Sequence, residues 1–419
     1  RNALLASMTD EVGELVLIDN YRQNQALSLM ESMSAERIGS FTHFIQSLEV
    51  QGLLDRAIEF LPSDAELADR KAKGLGLTRP ELSVLLSYDK IVIFNQLLES
   101  NVPEDPYLSK ELQRYFPKPL QEKFAGYMLS HRLRREIIAT AVTNSLVNRM
   151  GSTFLLRMQE DTGATPAQIA KAYAIVRESM QARQLWSDID ALDHKVHERI
   201  QLDALTGIWH LQRNLTRWLL SRPGQELDIA VMVERLQAPF AELVESMPAV
   251  LTDADRITHE AGRRAFEASG LQAGLAHFMT SLPYLNAAFD IIELSQIDRH
   301  PVQSVAQTHF ALSDALHINW LMDGIEALPV NGRWQAQARG VLRDELQAQQ
   351  RQLVSTVLAS AAPGMVPAQW VSAWLSRDDA ALKYTLGMLG DMRSLSEMDF
   401  PTLSVAVRRL AQIASTGLR

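Results

Sequence analysis

No segment of this 419-residue chain alternates apolar and polar residues with period two, so the usual signature of a half-buried strand is missing. Apolar residues recur instead at steps of three and four. Leu5, Met8, Val12, Leu15 and Val16 set the pattern, and that spacing lines one face of a helix. Helix starts are also marked. Thr78-Arg-Pro-Glu81 and Thr165-Pro-Ala-Gln168 each pair a hydroxyl cap with a carboxylate or amide three residues later, and each places proline at the start of the helix. The expected fold is all-α: a multi-helix array of two packed helical subdomains, with no Rossmann sheet.

Breaks fall at Leu61-Pro-Ser-Asp, Pro103 to Pro106, Pro117 to Pro119, Ser221 to Gly224, Leu328 to Gly332 and Ala361 to Pro367. They divide the chain into many helices of ordinary length, and a softer division near residues 222 to 250 separates a first helical subdomain, 36–225, from a second, 226–419. No fixed repeat argues for a solenoid. Leu353 to Ser376 is uncharged throughout, but Pro363, Gly364 and Pro367 interrupt it. Two short buried helices joined by a turn fit better than a membrane span of roughly 20 residues.

Composition narrows the chemistry. With no cysteine, thiolate nucleophiles, disulfides and thiolate metal sites are excluded, and a cytoplasmic location is expected. A net charge of −9 disfavours nucleic acid and anionic membranes as partners. The opening RNALLASMTDEV already reads as helix, with no basic and apolar leader before it. The sequence therefore reads as a piece of a longer chain.

Candidate chemistry is sparse. Gly74-Leu-Gly76 approaches a phosphate loop, but Arg79 stands where a third glycine would be. Asp190, Asp193, His194, His197 and Glu198 could put three metal ligands on one helical face, yet no second motif completes the set, and a solvated face explains them as well. Trp209, Arg213 and Trp218 could stack bases. Buried anchors are the commoner use of tryptophan at such spacing. The helices after Thr78 and Thr165 resemble recognition helices, but Arg79 beside Glu81, and Gln168 with Lys171, offer little to a phosphate backbone.

The stretch HRLRREIIATAVTNSLVNRMGSTF, His131 to Phe154, is richer. Leu133, Ile137, Ala141, Asn144, Asn148 and Gly151 form one helical stripe, on which Asn144 and Asn148 are expected as buried, hydrogen-bonded pins between helices. Arg132, Arg134 and Arg135 gather at the helix start. There they either pair with carboxylates of adjacent helices or form an anion or effector site.

This stretch, together with RNALLASMTDEVGELVLIDNYRQNQALSL, LDRAIEFLP, GLTRPELSVLLSYDKI and WQAQARGVLRDELQAQQRQL, resembles the C-terminal segments of the large bacterial NAD-dependent glutamate dehydrogenases. The resemblance covers essentially the whole chain. It implies a parent that oxidises L-glutamate to 2-oxoglutarate and ammonia with NAD, its catalytic lysine and Rossmann domain lying upstream of the equivalent of Arg1. It also implies that residues 1–35, with Met8-Thr-Asp10, return from that catalytic domain. This chain would then hold no catalytic, cofactor-binding or metal residue, and no cofactor. Its expected partners are the catalytic domain and further copies in a homo-oligomer, and its role is structural, assembly-related or regulatory. The alternatives are a helical nucleic-acid-binding regulator and an effector-binding module.

Overall fold

A computed structural model of the chain describes residues 2–222, 224, 226–330, 333–362, 364–395 and 397–416. All regular structure among them is helical. The first helices are α1 (Asn2–Ser32), α2 (Ile38–Val50), α3 (Asp64–Ala72), α4 (Arg79–Leu98), α5 (Ser109–Tyr115), α6 (Lys118–Met128) and α7 (Arg134–Met150). There follow α8 (Phe154–Thr162), α9 (Pro166–Ser179), α10 (Ala182–Asp190), α11 (Glu198–Leu220) and α12 (Ile229–Val250). The remainder comprises α13 (Asp253–Ala268), α14 (Ala273–Leu285), α15 (Ala288–Asp298), α16 (Val302–Ala315), α17 (Ile318–Ala327), α18 (Arg333–Ala359), α19 (Pro367–Leu375), α20 (Ala380–Met392) and α21 (Phe400–Thr416). They form two compact units, residues 1–235 and 236–419.

The local signals explain the helix starts. Glu81 accepts from the Thr78 amide at 2.7 Å. Gln168 accepts from the Thr165 amide at 2.9 Å while Thr165 Oγ1 accepts from the Gln168 amide at 3.3 Å, so orphan first-turn donors are satisfied reciprocally. Gly74 takes φ +67° just after α3. At Gly76 a Cβ would stand 2.4 Å from Ser34 Oγ, so this glycine serves a close approach between chain segments rather than a phosphate.

In the first unit α9 is the central helix. Ile169, Ala170, Ala172, Tyr173, Ala174, Ile175, Val176 and Arg177 are all buried, against α11, α4, α8 and α10. α7 packs on α4, α5 and α1. In the second unit α16 lies among α15, α17, α18 and α19, and α18 also packs along α21. Leu353, Val354 and Val357 close this core from α18, and Trp370 and Trp374 do so from α19. Each such side chain contributes roughly 1.5–3 kcal/mol. The uncharged run from Leu353 is thus the end of one long helix and one short one, while Pro363 lies outside the described residues. No helix among the described residues is long and apolar enough to cross a membrane.

Candidate functional site

The stripe expected on α7 is displaced. Its deepest positions are Ile138, Ala139, Val142, Leu146, Val147 and Met150, whereas Leu133 is 55% exposed and Ala141 and Asn144 are half-buried. The physical reason is that α7 is covered by several helices at once, so its buried arc is broad and the sequence stripe marks only one edge. Asn148 is buried, and among the described residues no protein donor reaches its Oδ1. It borders a cavity of about 10 Å³, shared with Gln25, Arg149, Trp186, Trp209 and Gln212. A space of that size suits about one water molecule.

The arginines at the start of α7 have diverging partners. Arg135 bonds Glu104 and donates to the Leu98 carbonyl at 2.6 Å, closing the C-terminus of α4. Arg134 reaches the Leu129 carbonyl at 3.4 Å, and Arg132 is exposed.

Around the end of α7 the polar groups are densely tied. Arg149 donates to Gln25 at 2.6 Å and stacks 4.4 Å above the Trp186 ring, while Gln25 donates to Asp190 at 2.8 Å. Burial lowers the Arg149 pKa, and Asp190 opposes that shift. Trp209 is buried, and its indole N–H donates to the Met150 carbonyl at 2.8 Å, satisfying a helix-end acceptor. The stacking reading of Trp209 therefore gives way to the anchor reading. Trp186, Trp370 and Trp374 are buried as well, Trp218 and Trp320 are half-buried, and Trp334 is 76% exposed.

Asp190 serves Gln25, Asp193 accepts from Gln201 at 3.3 Å, and His197 Nδ1 accepts from the Arg199 amide at 3.2 Å to start α11. No group of three metal-ligating side chains converges among the described residues. The recognition-helix candidates are absorbed too: Arg79 donates to Ser28 and to the Asn24 carbonyl, both at 3.0 Å, and Lys171 pairs with Asp105 at 3.1 Å.

Two clusters escaped the sequence reading, because their members lie far apart in the chain. In one, Glu111 Oε1 of α5 accepts from Arg177 at 2.8 Å, from Arg114 at 3.3 Å and from Arg183. Glu178 accepts from Arg177 Nε at 2.8 Å, and Arg177 Nη1 donates to Ser145 Oγ at 2.9 Å. Burial opposes the charge on Arg177, but Glu111 and then Glu178 outweigh it and raise its pKa. Burial likewise disfavours the Glu178 carboxylate, yet Arg177 and Arg183 hold its pKa below the ordinary value. In the other cluster, Arg37 donates to Thr153 Oγ1 at 2.6 Å and lies 4.4 Å from the Trp209 ring centroid. Arg157 donates to Ser40 Oγ at 3.1 Å, and Arg213 sits 5.2 Å from the same ring.

The fold and these networks define an all-α protein whose described polar groups tie helix to helix. Residues 74–412 match the family described as glutamate dehydrogenase, C-terminal. A Pseudomonas aeruginosa protein named NAD-specific glutamate dehydrogenase is 40% identical over 418 residues, which is 100% of this chain. Proteins of the same name from Halomonas elongata and Mycobacterium tuberculosis are 39% and 32% identical, also over 100% of this chain. The chain spans 26% of the length of each of these relatives. It belongs to the family of glutamate dehydrogenase C-terminal regions.

Proposed function

We propose that this chain is the helical brace of an NAD-dependent glutamate dehydrogenase. The whole enzyme oxidises L-glutamate with NAD to 2-oxoglutarate, ammonia and NADH in the cytoplasm, and this region stabilises its catalytic part and its homo-oligomer without performing chemistry. One observation carries the reading. α1 begins with an apolar face that this chain covers only in part: Met8 and Leu15 are half-buried, while Leu5, Val12, Val16 and Leu17 are 50%, 43%, 56% and 68% exposed. The far half of the same helix is buried through Ala26, Leu29 and Met30. A helix anchored at one end, with bare apolar residues along the other, is suited to clamp a second body. The catalytic part is the occupant we assign, since most of the relatives' length lies outside this chain.

The test is Val16→Asp with Leu17→Asp in the full-length enzyme and in this chain alone. Both side chains are exposed here, so the two substitutions together should change the isolated chain's stability by no more than about 1 kcal/mol. The full-length enzyme should lose assembly or turnover. Unchanged quaternary structure and kinetics would remove the proposed role.

A further inference from the structure

We infer that the cavity where α1, α7, α10 and α11 meet is a binding site for one water molecule, held between the Asn148 and Gln212 side chains and keying the four helices together. The inference stands independently of the bracing role. The cavity measures about 10 Å³, close to the least that holds a single water. Its polar and aromatic lining comes from Gln25 of α1, Asn148 and Arg149 of α7, Trp186 of α10, and Trp209 and Gln212 of α11.

Several of these groups are already engaged with protein. Gln25 uses both ends of its amide, Oε1 accepting from Arg149 at 2.6 Å and Nε2 donating to Asp190 at 2.8 Å. The Trp209 indole N–H is spent on the Met150 carbonyl at 2.8 Å. Asn148 and Gln212 differ. They are 8% and 1% exposed, and neither Asn148 Oδ1 nor Gln212 Nε2 meets a hydrogen-bond partner among the described residues, each other included. A buried amide atom left unpaired forfeits its hydration with nothing in return. One acceptor and one donor in that condition line the same small space.

The pair selects its occupant. The molecule must donate to Asn148 Oδ1 and accept from Gln212 Nε2, which excludes an apolar one. A halide could accept from Gln212 but would face the Asn148 lone pairs. An ammonium ion has nothing to offer the Gln212 N–H and would lie against the Arg149 guanidinium. The volume excludes larger solutes. Water carries two donors and two acceptors in the space available, so it serves both amides at once.

A crystal structure of the 419-residue chain grown with bromide tests the site directly. Solvent density within about 3.2 Å of both Asn148 Oδ1 and Gln212 Nε2, without anomalous scattering from bromide, is the expected result. A dry cavity, the two amides bonded to each other, or a bromide peak would overturn it. Oxygen-17 relaxation dispersion counts long-lived waters in solution, and Asn148→Leu and Gln212→Met should each lower that count by one. In urea titrations each variant should raise the unfolding constant at least about fivefold. The double variant should raise it at least about threefold less than the product of the two single effects, because both substitutions lose the same water. An unchanged water count in both variants, or effects that simply multiply, would sink the shared site. The crystal structure needs no substitution, so the test stands even where a variant fails to fold.

Discussion

Replacing Glu111 by glutamine should loosen the centre of the first unit more than almost any other single change there. Arg177 is 1% exposed at its side chain and Glu111 is 8% exposed. Glu111 Oε1 accepts from Arg114, Arg177 and Arg183, so its neutralisation leaves three cations with Glu178 as their shared carboxylate. Removing one partner of a buried ion pair costs roughly 3–5 kcal/mol, because the other charge stays out of water. Hydrogen exchange of the α9 amides reads this locally, and every 1.4 kcal/mol is about tenfold. Protection should fall at least about 100-fold in Glu111→Gln. Much of it should return in Glu111→Leu with Arg177→Met, where no charge is stranded. A loss below about fivefold in the single variant would show that water screens the cluster, and would refute the buried-network argument. The pH dependence has a definite sign. The folded pKa of Glu178 lies below the ordinary 4.5, so its contribution is complete above about pH 4.5 and is lost as pH falls through the lower folded value. Glu178→Gln should flatten that acid limb.

His309 in α16 supplies a second pH test. His309 Nε2 lies 2.9 Å from the Gln350 side-chain amide, and burial lowers the His309 pKa to about 4. The second unit should therefore lose about 3 kcal/mol as pH falls from 6.5 to about 4, and His309→Gln should abolish that slope in urea titrations. Gly76→Ala should cost roughly 1–3 kcal/mol in the same assay, because its Cβ would stand 2.6 Å from the Ala35 amide nitrogen. Arg79→Ala should increase hydrogen exchange around Asn24 to Glu31 and leave the α9 amides unchanged, since Arg79 ties α4 to that part of α1.

The helices were legible because their signals are local. Thr78 with Glu81 and Thr165 with Gln168 sit three residues apart, and the structure forms the bonds that this spacing predicts. Breaks at proline and glycine clusters coincide with the start of α3 and with the ends of α5, α11, α17 and α18, and Pro103 to Pro106 follows α4 within a few residues. The buried arc of α7 was read less well. A stripe in the sequence locates one face, but the number of helices packed around it decides how much more is covered. Asn148 shows the same limit, since the side chains that share its cavity, among them Gln25, Trp186 and Gln212, come from other helices. The ion clusters were illegible for a related reason. Glu111 and Arg177 are 66 positions apart, and Arg37 and Thr153 are 116 apart, so no local pattern foretells that they meet. Family membership, by contrast, was legible in long ungapped blocks such as His131 to Phe154.

The proposed division of labour is that this helical region braces a glutamate dehydrogenase whose chemistry is done elsewhere in the enzyme. NADH formation from L-glutamate and NAD, followed in parallel for the purified 419-residue chain and the full-length enzyme, tests it most directly. Turnover is expected of the full-length enzyme and none above background of the chain alone; turnover by the isolated chain at a rate near the full-length enzyme's would rule the division out.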